Sequence, residues 1–242
     1  MQLLISDLHL SADRPDKLAL FHAFVARAQR VATTVYILGD LFEFWLGDDD
    51  DCIVHRTIVA ALADLTSAGV AVHFMHGNRD FLCSDGFAAA TGATLLPDYA
   101  VVDLAGRRAV LTHGDLLCTR DIKYQRFRRV VHRPLIQRAF LAIPLTWRRR
   151  IARGTRSQTL ASTERKAEYI MDVEAATVAE VLRQHHATLL VHGHTHRPAI
   201  HELDVDGRAC TRVVIGDWYA QDNVIVCSDA ALRSMRVTEF VA

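Results

Sequence analysis

The sequence predicts an α/β fold, a sandwich of β-sheet flanked by helices, on three observations. First, five short polar clusters each follow an apolar run. They are Asp7-Leu8-His9 after residues 3–5, Gly39-Asp40 after 35–38, Gly77-Asn78-Arg79-Asp80 after 70–75, His113-Gly114-Asp115 after 109–111, and Gly193-His194-Thr195-His196 after 188–191. Second, stretches of helical periodicity separate these runs over the first two thirds of the chain, which is βαβ grammar. Third, from about residue 101 the pattern changes to shorter β runs and hairpin signals.

The elements follow in order. The runs read as buried strands, apolar on both faces. Between the first two, Leu18, Phe21, Phe24, Val25 and Ala28 recur at helical spacing after Pro15, which suits a first helical turn. A second helix is expected over 53–65, ended by Gly69, and a short third over 81–90, closed by Gly92. Ala105-Gly106 reads as the turn joining strands 101–104 and 108–111. Beyond them, Phe127, Val130 and Val131, then Ile136, Phe140 and Ile143, sit at helical spacings broken by Pro134 and Pro144. That stretch predicts amphipathic helices inserted between strands. A helix over 171–186 leads back to the strand at 188. The tail, 199–240, alternates like hairpins, with Asp206-Gly207 as a turn. One domain over 1–242 is expected, with a helical insertion at 119–170.

Composition narrows the class. Half the 242 residues are hydrophobic, enough for a sizeable core. The five cysteines (52, 83, 118, 210, 227) are odd in number and form no Cys-x-x-Cys pair, which argues against a disulfide framework and suits a reducing cytosol. No secretion signal is expected at the start, and no uncharged apolar stretch is long enough to span a membrane. Net charge is zero, yet fourteen of the 28 basic residues lie between Arg120 and Lys166, against two acidic ones there, Asp121 and Glu164. Such a basic module faces anions.

In an open α/β sheet, ligands collect at the carboxyl ends of the strands. The polar clusters would therefore meet at one edge, bringing Asp7, His9, Asp40, Asn78, His113, His194 and His196 together. Seven donors are too many for one ion and suit two that share a carboxylate. Imidazole, carboxylate and amide oxygen without thiolate favour Mn²⁺, Fe²⁺ or Zn²⁺ and disfavour a structural zinc. Asp80 and Asp115 stand where a carboxylate could orient a ligand histidine. The remaining histidines, and the run Asp48-Asp49-Asp50-Asp51, read as structural, the run as a solvated loop capping the next helix.

In order and spacing, Asp-x-His, Gly-Asp, Gly-Asn, His and Gly-His-x-His over residues 5–197 resemble the calcineurin-like metallophosphoesterases. The resemblance implies an αββα sandwich with a dinuclear site. Asp7, His9, Asp40 and His196 would hold one metal and Asp40, Asn78, His113 and His194 the other, with Asp40 bridging. Where many members have Gly-Asn-His, this chain has Gly77-Asn78-Arg79. Arginine cannot donate a proton at neutral pH, but it can grip a phosphate. The leaving group must then depart readily as an anion, as a phosphate monoester does and an alkoxide does not. That favours cleavage of a P–O–P bond.

The fuller motif set, including Tyr-Ile-Leu-Gly-Asp-Leu-Phe-Glu, His-Gly-Asn-Arg-Asp-Phe-Leu, Ile-Met-Asp-Val and His-Gly-His-Thr-His-Arg-Pro-Ala, resembles the lipid A branch of that family. It implies hydrolysis of UDP-2,3-diacylglucosamine to UMP and 2,3-diacylglucosamine 1-phosphate, with water attacking the α-phosphorus. Two Mn²⁺ per subunit are expected, in a monomer bound peripherally at the anionic cytoplasmic face of the bacterial inner membrane, without nucleic acid. Asp40, Asn78, Arg79 and His113 are the expected catalytic residues. Substrate contacts are expected from Asn78, Arg79, Asp121, Thr159, Thr163, Lys166 and His194, although Thr163 replaces the branch's usual Asn and Thr159 its usual Ser. The insertion reads as a basic amphipathic lid that grips acyl chains, presenting Arg128, Arg129, Arg133, Arg138, Arg148, Arg149, Arg150 and Arg153. The alternatives are a nucleotide or nucleic-acid phosphodiesterase of the same family and a non-catalytic binding scaffold.

Overall fold

The structure is a computed structural model and describes residues 1–152, 154, 172–228 and 231–242. Two sheets face each other. One has six strands in the order β11-β10-β1-β2-β3-β4; the other has five, β5-β6-β7-β9-β8. In the first, β1 (Gln2–Ile5), β2 (Thr34–Ile37), β3 (Ala71–Met75) and β4 (Thr94–Leu96) run parallel, and β10 (Asn223–Ser228) and β11 (Ala231–Arg236) are antiparallel additions on β1. In the second, β6 (Arg107–Thr112), β7 (Leu189–His192) and β9 (Arg208–Val214) are parallel, flanked by antiparallel β5 (Ala100–Leu104) and β8 (Ala199–Val205).

Strand alternation divides the core into layers. Leu4, Leu38, Met75, Leu111, Val191 and Val213 fill the space between the sheets. The neighbours Leu3, Ile5, Val35 and Ile37 point the other way, onto Phe21, Phe24, Leu62 and Leu65 from α1 (Pro15–Val31) and α2 (Ile53–Ser67). On the outer face of the second sheet, Val110 and Leu190 meet Val178, Val181 and Leu182 of α7 (Ala175–Gln184). Helix, sheet, sheet, helix is the predicted sandwich, and burial on both faces is why these strands read as unbroken apolar runs.

Three expectations are corrected. The third helix, α3, runs Asp85–Thr91 and not from residue 81, because the Asp48 carboxylate takes the N–H groups of Ser84 and Phe87 and fixes the start there. The tail is not hairpin to residue 240: β8–β9 and β10–β11 join different sheets, and the chain turns helical in α8 (Val237–Val241), burying Val237 and Phe240 on the first core. The acidic run is not a solvated cap of α2, whose N-cap residue Cys52 makes no capping bond. Asp48 caps α3, while Asp49 and Asp50 bind arginines a hundred residues away.

Those arginines belong to the basic stretch after β6, whose described part is helical: α4 (Ile122–Val131), α5 (Pro134–Leu141) and α6 (145–152). Arg148, only 2% exposed, donates to both Asp49 oxygens and to the carbonyls of Leu46 and Ile143. Arg149 pairs with Asp50 at 2.5 Å, and Arg128 with Asp115 and Asp98. These three therefore bolt the helices to the body and do not form a free basic face. Arg153 lies outside the described residues. All five cysteines are free thiols.

Candidate metal centre

The loops at the carboxyl ends of β1, β2, β3, β6 and β7 carry all seven expected ligands to one place. They continue the sheet ladder: Asp7 N–H donates to Gly39 O, His9 N–H to Asp40 O, and Gly193 N–H to His113 O. Glycine is required twice at the closest approaches. A Cβ on Gly77 would strike the Asp40 carboxylate, and one on Gly193 the Asp7 carboxylate and Ser6. Asp7, His9, Asp40, His194 and His196 all have positive φ, between 46° and 67°. Non-glycine residues in that region cost roughly 1–3 kcal/mol each and gather at functional sites.

Asp7, Asp40 and His113 are almost wholly buried. The Asp40 Oδ2 lies 3.7 Å from His9 Nε2 and 3.9 Å from His113 Nε2, between the two halves of the pocket. Asp7 Oδ1 is 3.2 Å from His196 Nε2. The Asn78 Oδ1 stands 3.2 Å from His113 Nε2 and 3.1 Å from His194 Nδ1. Among the described residues of this pocket, two groups have ligand atoms within 4.8 Å of one another, Asp7/His9/His196 and Asp7/Asp40/His113. Asp7 therefore belongs to both, and Asp40, a member of the second, also approaches His9 of the first. The donors fit a pair of divalent cations: all are oxygen or imidazole nitrogen, and His9 turns Nε2 towards both the Asp7 and Asp40 carboxylates.

The electrostatics show a pocket short of positive charge. Burial raises the Asp40 carboxyl to about 7, with Asp80 and Asp7 adding to the rise. Burial also opposes ionisation of Asp7, but its hydrogen bond to His196 and the nearby imidazoles hold it well below the carboxylate range. Burial works against a charge on His113 and His196 too. Asp40 and Asp7 nonetheless lift His113 to about 9, and hydrogen bonds to Asp217 and Asp7 lift His196 to about 10. His9 and His194, dominated by burial, fall to about 3 and about 4. Protons on His113 and His196 thus stand in for cations.

Arg79 sits at the rim, its guanidinium 5.4 Å from the Phe44 ring centroid and its Nε buried without a partner. Its backbone N–H donates to Asp40 Oδ1. Asp121 caps α4, accepting from Tyr124 N–H. Thr159, Thr163 and Lys166 lie outside the described residues. Asp80 orients no histidine; its carboxylate collects the N–H groups of Gly77, Leu41 and Asp40 and so ties two ligand loops together. Asp115 accepts from Tyr124 Oη and Arg128 Nε, both at 2.6 Å, and joins α4 to the pocket wall.

Two carboxylates behind the histidines were not foreseen. Asp217 Oδ2 lies 3.3 Å from His196 Nδ1, and Glu43 Oε2 lies 3.7 Å from His9 Nδ1. Asp217 carries a readable signal: Gly216-Asp217 follows the apolar run 213–215 at the end of β9, as Gly39-Asp40 follows β2. Glu43 carries none.

A family model described as calcineurin-like phosphoesterase matches residues 3–198. The chain is 49% identical to the UDP-2,3-diacylglucosamine hydrolase of Aeromonas salmonicida (strain A449) over 231 residues, 96% of this chain and 91% of that one. It is 47% identical to the protein of the same name from Escherichia coli O7:K1 (strain IAI39 / ExPEC), over 92% of this chain and 93% of that one. Among solved structures, a novel archaeal phosphodiesterase shares the fold at a TM-score of 0.51, with 11% identity over 97% of this chain and 98% of that one.

Proposed function

This chain belongs to the calcineurin-like phosphoesterase family, and from that premise we propose that it hydrolyses the pyrophosphate of UDP-2,3-diacylglucosamine in lipid A synthesis. The products are UMP and 2,3-diacylglucosamine 1-phosphate. The reading rests on one observation above the others: a pocket of seven oxygen and imidazole donors, of which Asp7, His9, Asp40 and His113 are buried, with the unpartnered Nε of Arg79 beside it. Near-half identity along almost the whole chain to hydrolases named for this substrate supports the same choice.

Asp7, His9, Asp40 and His196 would hold one divalent cation and Asp40, Asn78, His113 and His194 a second; these donors suit Mn²⁺, Fe²⁺ or Zn²⁺, and Mn²⁺ is the ion proposed. When bound, the pair supplies positive charge to the phosphoryl oxygens and acidifies water. Arg79 grips the phosphate as a permanent cation and gives up no proton. Water attacks the α-phosphorus, its oxygen passing to UMP, and the bridging oxygen leaves with the sugar phosphate. That leaving group departs as an anion because its second pKa is about 6, so no general acid is needed.

The helices α4 to α6 would receive the acyl chains. Among the described residues, seven of the twelve exposed large apolar side chains lie there: Ile122, Phe127, Val130, Leu135, Ile136, Trp147 and Ile151. No described helix is long and apolar enough to cross a membrane. We place the protein as a monomer on the cytoplasmic face of the inner membrane, with Asp121, Thr159, Thr163 and Lys166 contacting the headgroup.

The test is UMP release from detergent-dispersed UDP-2,3-diacylglucosamine. Release with Mn²⁺, its loss with chelator, and its abolition in folded Asp40→Asn and His9→Ala are expected. Efficient cleavage of oligonucleotides with an inert lipid substrate would favour the phosphodiesterase reading and overturn this one.

A further inference from the structure

Outside the pocket, a second set of metal-ligand side chains converges where the acidic loop enters α2. Asp50, Cys52 and His55, spaced Asp-x-Cys-x-x-His, each offer one ligand atom, and these atoms lie within 4.8 Å of one another. Asp50 and His55 are buried and Cys52 is half-buried, so an ion could enter from the cysteine side. The two Asp50 oxygens have different tasks. Oδ1 receives Arg149, while His55 Nδ1 lies 3.3 Å from the Asp50 carbonyl oxygen and 3.8 Å from Oδ2, so an ion bound there would take this nitrogen from that carbonyl. Two ligands of one tetrahedral ion stand roughly 3.4 Å apart when each bond is about 2.1 Å. The pair is therefore nearly spaced for a shared cation already. The His55 ring is wedged between Phe42 and Trp45, with centroids 5.0 and 4.9 Å away, which fixes the direction of its nitrogens. Burial also pushes the His55 pKa down, towards the neutral form that ligates.

We propose that Asp50, Cys52 and His55 form a second metal site, selective for a thiophilic divalent ion such as Zn²⁺ or Co²⁺. The donor set separates it from the main pocket, which has no sulfur: thiolate selects against Mn²⁺ and Mg²⁺. Three protein ligands leave a fourth position for water. Binding breaks the Cys52 S–H bond, forms a sulfur–metal bond and releases the proton to solvent. Arg149 keeps Oδ1 throughout, so the ion reinforces the loop that anchors α6 and leaves that tie intact.

The experiment uses the whole protein with its main pocket filled by excess Mn²⁺, then titrated with Co²⁺. Sulfur-to-cobalt charge transfer absorbs in the near ultraviolet, and no donor of the main pocket produces it. A saturable band that Zn²⁺ abolishes is expected. It should vanish in Cys52→Ser, whose Zn²⁺ affinity at this site should fall at least about tenfold, with Mn²⁺-supported hydrolysis unchanged. Absence of the band in the parent protein, or an undiminished band in folded Cys52→Ser, would overturn the proposal.

Discussion

His196 lies between two carboxylates, Asp7 on its Nε2 side and Asp217 on its Nδ1 side. Asp217 in turn accepts the backbone N–H groups of Tyr219 and Ala220, so its position is set before any ligand arrives. A carboxylate behind a metal-binding imidazole fixes the ring and raises its basicity. Asp217→Asn should therefore weaken metal binding about 10- to 100-fold with an unchanged unfolding midpoint, read by metal titration against a chromophoric chelator. The same residues predict a pH dependence. In the metal-free protein His113 and His196 hold protons up to about 9 and about 10, and Asp40 up to about 7. Cations must displace those protons, so the free form binds more protons than the loaded one. Affinity should rise with pH from neutrality towards 9, with proton release visible in calorimetry across buffers of different ionisation enthalpy; affinity that falls with pH would refute this charge assignment. The seven donors were legible because each follows a strand run. Asp217 obeys the same grammar and could have been read. Glu43 could not, because only the folding of the β2 loop beside His9 brings it there.

At the scale of elements, the acidic loop and α6 form one unit. Arg148 is buried while the Asp49 side chain is 59% exposed, which makes their pairing asymmetric. Asp49→Ala strands a buried guanidinium and should cost about 3 kcal/mol. Arg148→Met leaves a carboxylate that water can solvate and takes one donor each from the Leu46 and Ile143 carbonyls, but strands no buried charge, and should cost less; urea unfolding of both variants checks the order. Helices were legible where apolar periodicity meets a core, as Phe21, Phe24, Val25 and Ala28 show in α1. Their ends were less so, since α3 begins where Asp48, 36 residues upstream of Ser84, captures its first N–H groups. Nor could sequence show which arginines of the basic stretch are spent on internal pairs, because their acidic partners lie in distant loops.

For the whole molecule, apolar exposure is concentrated on α4 to α6, and neither α4 nor α5 buries a residue. Leu135→Ser combined with Phe127→Ser should reduce sedimentation with anionic vesicles severalfold while leaving the thermal midpoint within about a degree, since surface changes cost under about 0.5 kcal/mol. Unaltered sedimentation would remove this face from membrane docking. The topology carries one more consequence. β1 is an interior strand, paired with β2 on one side and with β10 on the other, and Trp218 N–H donates to Asp7 O. During synthesis, then, residues made early must wait for residues made more than two hundred positions later. A chain halted on the ribosome short of β10 would carry a bare strand edge, a template for pairing with other nascent chains, and not a half-working catalyst.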